Sequence, residues 1–271
     1  MKDIYFLGGL PRSGNTLLSS LLNQNPNVYC SPLSPLLDNL TSIEYSLNSS
    51  ETTLSTDFEK ETTLGLRNFV KGFYSDINKP IVIDRNKGWG SKDSTLKAVR
   101  YITDNPKIIY TVRNIPSILS SFLLLIKNDQ NNFIDNNIRA IGIKPYGKQT
   151  QDDLRCDWLM NNQVGLGLAA LTDLLQTKIS VCLIEYDDLI KNPQAELNKV
   201  YNFLELNNYS HDFNNIKKLE KETLEIAGLP SNLHDVHSKI KKSYVNPKSV
   251  LSELTLKKYS NLEFWRDKKT N

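Results

Sequence analysis

Three cysteines in 271 residues, Cys30, Cys156 and Cys182, are too few and too scattered for the usual structural uses of sulfur. An odd count without CxxC spacing argues against a disulfide framework and a zinc site; it predicts reduced, buried thiols in a cytosolic protein. Long apolar runs are missing too: no stretch approaches the ~18 residues that span a bilayer. Met1 to Tyr5 lead straight into an apolar run with no signal-peptide pattern, so a cytoplasmic location is expected. Charge of one sign is scarce. The 33 Lys and Arg against 30 Asp and Glu leave a net +3, too little to point to nucleic acid. No metal-ligand cluster is visible, so no metal is expected, and no 20–50-residue repeat marks a solenoid or propeller.

What is present is ordinary for a globular chain, 39% hydrophobic and 23% charged. The length suits one domain, residues 1–271, with a full core. Short apolar runs at Ile4–Leu7, Ile81–Ile83, Lys107–Val112 and Val181–Glu185 read as buried strands. Helical patterns fall between them: Thr16–Leu22, Thr62–Tyr74, Ser94–Ile102, Pro116–Leu125, Asp152–Leu175 as one long helix, and Pro193–Leu204. Strands alternating with helices predict an α/β fold with a parallel sheet and crossover helices. The polar segment 40–60 reads as a mobile surface segment or lid, and 127–150 as an insertion or an acceptor-side loop.

The first strand runs into Gly9-Leu10-Pro11-Arg12-Ser13-Gly14-Asn15-Thr16, and Thr16-Leu17 opens a helix. Glycines let the backbone curl so that several N–H groups converge, and the helix N-terminus adds positive potential; together they bind anions. The spacing matches the start of GxxxxGK[ST], but Asn15 stands where the nucleotidase lysine belongs, which counts against a P-loop kinase or NTPase. A cation is supplied instead by Arg12, whose guanidinium can grip an anion bidentately; Ser13 and Thr16 can add hydroxyls.

PRSGNTLL, and the collinear run from Gly8 to Cys30, resembles the 5′-phosphosulfate loop of sulfotransferases that use 3′-phosphoadenosine-5′-phosphosulfate (PAPS), most like the tyrosylprotein branch and its bacterial relatives. The resemblance implies a P-loop-like three-layer fold, a central parallel sheet flanked by helices. It implies an enzyme that moves a sulfuryl group from PAPS to a hydroxyl or amine acceptor and leaves 3′-phosphoadenosine-5′-phosphate (PAP). Arg113 ends a strand and Ser121 lies eight residues on, the interval of the family's 3′-phosphate site. On a helix eight residues span about 12 Å. IEYDDLIKNP resembles a late strand and turn of the family, with Tyr186 near the adenine or the acceptor; Asp187 or Asp188 could equally cap the next helix. HSKIKKSYVNP resembles a lid over the 3′-phosphate, with Ser238, Lys239, Lys241 and Lys242 as candidate contacts. Trp158 matches a family tryptophan and reads as a core aromatic.

Sulfuryl transfer passes through a loose, in-line transition state, so catalysis is positioning and cationic stabilisation. Arg12 and the loop amides are assigned to the bridging and leaving oxygens. Lys87, in DRNKGW, matches a lysine that stabilises the transferring group in similar enzymes. The glutamate base of the tyrosylprotein branch is absent, since collinear counting lands on Pro32-Leu33. The candidates for a general base are Asp84, Glu44, His234 and His237; Asp84 could instead pair with Arg85. A non-catalytic nucleotide-binding protein that kept the cradle is the other alternative. The acceptor is a small molecule, a saccharide or a lipid headgroup.

Overall fold

The computed structural model describes residues 2–217, 236–240 and 245–266. Five strands, β1 (Asp3–Gly9), β2 (Val28–Leu33), β3 (Ile81–Arg85), β4 (Lys107–Val112) and β5 (Ser180–Glu185), form one parallel sheet in the order β2-β3-β1-β4-β5. The helices between β1 and β4 are α1 (Asn15–Leu22), α2 (Leu36–Ser49), α3 (Glu51–Leu54), α4 (Glu59–Phe73) and α5 (Lys92–Ile102). Then come α6 (Ile115–Ile126), α7 (Phe133–Ala140), α8 (Gln151–Asn161), α9 (Gln163–Gln176), α10 (Tyr186–Lys191), α11 (Pro193–Leu204) and α12 (Glu253–Tyr259).

Strand periodicity divides the core in two. Phe6, Val82, Ile108 and Tyr110 face one way and pack with Leu36, Val99, Leu119 and Leu171. Leu7, Ile83, Ile109 and Ile184 face the other way, onto Leu18 and Leu22 of α1 and Leu197, Val200 and Leu204 of α11. All six residues of β4 are buried, as a parallel strand covered on both faces requires. The result is the expected α/β arrangement, a central parallel sheet between helical layers. From β1 the chain crosses to the β2 side; from β4 it crosses to the β5 side. The carboxyl ends of these neighbouring strands therefore diverge and leave a crevice, where ligands bind in such sheets.

Four expectations need correcting. Residues 40–60 are not a loose segment: α2 and α3 occupy much of it, because Leu36, Leu37 and Leu40 recur at helical spacing and are buried. Segment 127–150 holds α7, capped by Asn132, whose side chain accepts from the Asp135 amide; Asp135 is ion-paired with Arg155 of α8. The long helix breaks at Asn162 (φ −125°, ψ −109°), whose amide side chain donates back to the Trp158 carbonyl at 2.8 Å. That turn brings Met160 O within 1.9 Å of where a Cβ on residue 165 would stand, so only Gly165 fits. Finally, β2 was not expected from VYCSPL; it is an edge strand, where Pro32 costs no sheet hydrogen bond.

Candidate active site

The loop after β1 is built by the residues that expectation had partly aimed at a ligand. Leu10 N–H donates to the Thr111 carbonyl at 2.9 Å. Ser13 is fully buried, and its hydroxyl donates to the carbonyls of Leu10 and Thr111 and meets the Thr111 hydroxyl. Its hydroxyl therefore ties the loop to β4 and does not face the cleft, a correction to its expected role. Two residues take left-handed backbone: Arg12 (φ 58°) and Gly14 (φ 92°), the latter as the N-cap of α1. Gly14 is also demanded by packing, since a Cβ there would lie 2.7 Å from the Tyr186 ring.

Pro11, Arg12, Gly14, Asn15, Thr16 and Leu17 line a cleft of about 540 Å³ at the carboxyl end of the sheet. Arg113, Ser121, Tyr186, Lys87, His237 and Lys239 line it as well. The structure thus brings together in one cleft most of the residues singled out by sequence. Arg12 Nε donates to Ser121 Oγ at 3.1 Å, and Arg113 Nη1 donates to the Arg12 carbonyl at 3.0 Å. The Arg113 guanidinium stacks 4.2 Å from the Tyr186 ring centroid. Burial, and then the charge of Arg113, lowers the Arg12 pKa from its usual value; burial also lowers that of Arg113, against the pull of Tyr186 and Asp187. No Asp or Glu lines the cleft among the described residues. Arg113 Nε is buried and has no hydrogen-bond partner among them, as is Asn15 Oδ1. An unmet donor on a buried guanidinium is costly.

Asp84 is corrected. It is fully buried, and its carboxylate accepts from Trp89 Nε1 at 2.6 Å and from the Tyr74 hydroxyl. Residue alternation in β3 sends Asp84 into the core with Trp89 and Arg85 to the other face. Burial pushes the Asp84 pKa up, against hydrogen bonds from Ser34, Tyr74 and Trp89 that lower it. It holds the turn in which Trp89 N–H donates to Asn86 O at 3.1 Å and Gly88 N–H to Asn86 Oδ1 at 2.9 Å. That turn presents Lys87, exposed, to the cleft. Arg85 was weighed only as a partner of Asp84, yet it lines the cleft and donates from Nη1 to Thr16 Oγ1 at 2.9 Å. Period-two reading of IVIDR, with Ile81 and Ile83 on the face of α1, would have found it.

Among the other base candidates, Glu44 is buried on α2 and does not line the cleft, and burial raises its pKa against the pull of Lys97. His234, Lys241 and Lys242 lie outside the described residues. The segment holding His237 and Lys239 is fixed by two backbone bonds, Ile216 N–H to Ser238 O (2.8 Å) and Ile240 N–H to Phe213 O (3.3 Å). Trp158 is a core side chain packed edge-on to Phe133 at 6.4 Å.

Two carboxylates from opposite parts of the chain brace the cleft from behind. Glu263 Oε1 accepts from Asn114 Nδ2 (2.8 Å) and from Ile115 N–H (2.9 Å), fixing the loop after Arg113. Glu185, just before Tyr186, accepts from Trp265 Nε1 and Arg266 Nε, both at 2.8 Å.

Solved structures with a similar fold share less than a fifth of their sequence with this chain. The sulfotransferase domain of the curacin biosynthetic pathway superposes with a TM-score of 0.50 at 19% identity, covering 76% of this chain and 75% of its own. A sulfotransferase from Alicyclobacillus acidocaldarius gives 0.51 at 15% identity, covering 78% and 84%. Comparison with curated protein sequences returns no match. The sequence model of the sulfotransferase family matches residues 5–211. That stretch takes in the loop after β1, the turn after β3, and Arg113, and on this basis the chain belongs to the sulfotransferase family.

Proposed function

We propose that the cleft binds PAPS and that the enzyme moves its sulfuryl group to an acceptor hydroxyl or amine. The observation that carries this is a cleft lined by Arg12, Arg85, Lys87, Arg113 and Lys239, with no Asp or Glu lining it among the described residues. The donor set suits a ligand with anionic groups at both ends. The loop amides, Arg12 and Thr16 hold the 5′-phosphosulfate at the start of α1. Arg113 and Ser121 hold the 3′-phosphate, and Tyr186 braces Arg113 from behind. Lys239 contacts the same phosphate.

PAPS, when bound, supplies an activated sulfuryl group on a good phosphate leaving group. Arg12 stabilises the charge that gathers on the bridging oxygen as the S–O bond breaks, and the electron pair stays with the 5′-phosphate. Lys87 and Arg85, at the end of β3, stabilise the equatorial oxygens. The acceptor proton leaves as the new O–S or N–S bond forms; His237 lines the cleft and is the base candidate there. The kinase reading has no lysine at position 15 to work with.

Calorimetric titration with PAP, with ATP and 5′-AMP in parallel, tests the reading. Tight binding that needs the 3′-phosphate and weakens about 10- to 100-fold in Arg113→Ala is expected, since a charge-assisted hydrogen bond is worth about 1.5–3 kcal/mol. Equal binding of 5′-AMP, or an indifferent Arg113, overturns it.

A further inference from the structure

Residues 206–217 follow α11 without a helix or strand of their own. Leu206, Tyr209, Phe213 and Ile216 seat them on the core that holds Leu18 and Leu22 of α1. An irregular stretch packed this way must find partners for its backbone N–H and C=O groups. Two glutamines supply them. Gln194 of α11 donates to the Tyr209 carbonyl at 2.8 Å and accepts from the His211 amide at 3.1 Å. Gln24, just past the end of α1, donates to the Asp212 carbonyl at 2.8 Å and accepts from the Asp212 amide at 2.9 Å. Its side-chain amide thus exchanges both bonds with one residue, as a facing strand would.

Gln24 stands on a fixed mount. The neighbouring Asn23 accepts from the Cys30 amide at 3.1 Å and donates to the Cys30 carbonyl at 2.6 Å, which ties the turn after α1 to β2. On the other side of the grip, Phe213 O accepts from Ile240 N–H, and Ile216 N–H donates to Ser238 O at 2.8 Å. Val236 and Ile240 pack on the same core as Phe213, while His237 and Lys239 line the cleft. α1 therefore carries the anion loop at its first turn and this grip just past its last. Lys239 is exposed, and a lysine stem is flexible, so the fold fixes its reach through the backbone that bears it.

We propose that Gln24, which does not itself line the cleft, is a positioning residue for the 3′-phosphate end of the site. Through Asp212 and Phe213 it sets where Lys239 stands. This rests on the PAPS reading and deepens it: recognition of the 3′-phosphate depends on a side-chain amide outside the cleft.

The test titrates PAP and 5′-AMP into the full-length wild type, Gln24→Met, Lys239→Ala and the double variant, with thermal unfolding of each. Methionine keeps the length of the side chain and removes both donor and acceptor. Gln24→Met is expected to weaken PAP about three- to tenfold and to leave 5′-AMP within twofold. In the Lys239→Ala background it costs no further PAP affinity, because the group it positions is gone. Gln24→Glu keeps the acceptor for the Asp212 amide and loses the donor; it serves if Gln24→Met does not fold, and the same selective loss is expected. An equal loss for PAP and 5′-AMP, a lower unfolding temperature with unchanged PAP affinity, or failure of both variants to fold makes Gln24 a structural tie alone and overturns the proposal. An undiminished loss in the Lys239→Ala background overturns it as well. A wild type that binds PAP no better than 5′-AMP is a different result: it sinks the cofactor reading, and this inference with it.

Discussion

Gly14→Ala is the sharpest perturbation of the site, because two separable effects converge on one methyl group. The backbone at Gly14 sits at φ 92°, where an L-residue costs about 1–2 kcal/mol. The added Cβ would also stand 2.7 Å from Tyr186 Cδ2, and overpacking of that kind costs about 1–3 kcal/mol. The ring must move, and with it goes the stack that supports Arg113 at 4.2 Å. Part of the cost falls on stability and part on ligand affinity. PAP affinity is expected to drop at least tenfold, at 1.4 kcal/mol per decade. A double-mutant cycle separates the effects. In a Tyr186→Ala background the clash is gone and only backbone strain remains, so Gly14→Ala should cost about 1–3 kcal/mol less there. PAP titration and thermal unfolding of the four proteins give both ledgers. Coupling near zero would show that Tyr186 is not what crowds Gly14, and unchanged binding by Gly14→Ala alone would refute the loop geometry.

Lys87→Ala should lower kcat about 100-fold while PAP affinity stays within twofold, since the role proposed for it is on the transferring group; an equal loss in both would make Lys87 a binding residue. Asp84→Asn should fold and keep activity, because the carboxylate serves the Trp89 turn and not the chemistry. Its raised native pKa means that the folded state holds the proton longer than the unfolded chain. Stability is therefore fully present below the ordinary carboxylate pKa and is lost as pH rises through the native value. In urea unfolding from pH 4 to 8, wild type should lose stability on that limb and Asp84→Asn should not; parallel profiles would contradict this account.

Much of the fold was legible because parallel strands are apolar on both faces and announce themselves as short unbroken runs. Four of five strands follow from that pattern alone. β2 escaped because its Ser and Pro are permitted only at an edge, and edge position is a tertiary fact. The helix over 36–49 was hidden by a boundary drawn at residue 40, which cut its leucines from its polar half. In the site, the loop, Arg113 and Ser121 were legible because an anion cradle needs particular residues at particular spacings. Asp84 reads as a base candidate at the cleft and Arg85 only as its possible ion-pair partner, whereas Arg85 lines the cleft and Asp84 is in the core. Two adjacent strand residues face opposite layers, and only the neighbouring core residues say which side is the cleft. Ser13 reads as a ligand contact in sequence because nothing there reveals that Thr111 would claim its hydroxyl.

The brace formed by Glu263 and the Trp265–Arg266 pair has a consequence for the order in which the enzyme is made. Asn114 and Glu263 are 149 positions apart, and the family match ends at residue 211, well short of the brace. On the ribosome the sheet can close as soon as β5 emerges, but the loop behind Arg113 waits for Glu263 and the entry to α10 waits for Trp265. The nascent chain therefore owns a finished scaffold before it owns a finished binding site. The cleft is completed last, when residues 263–266 have emerged to brace it.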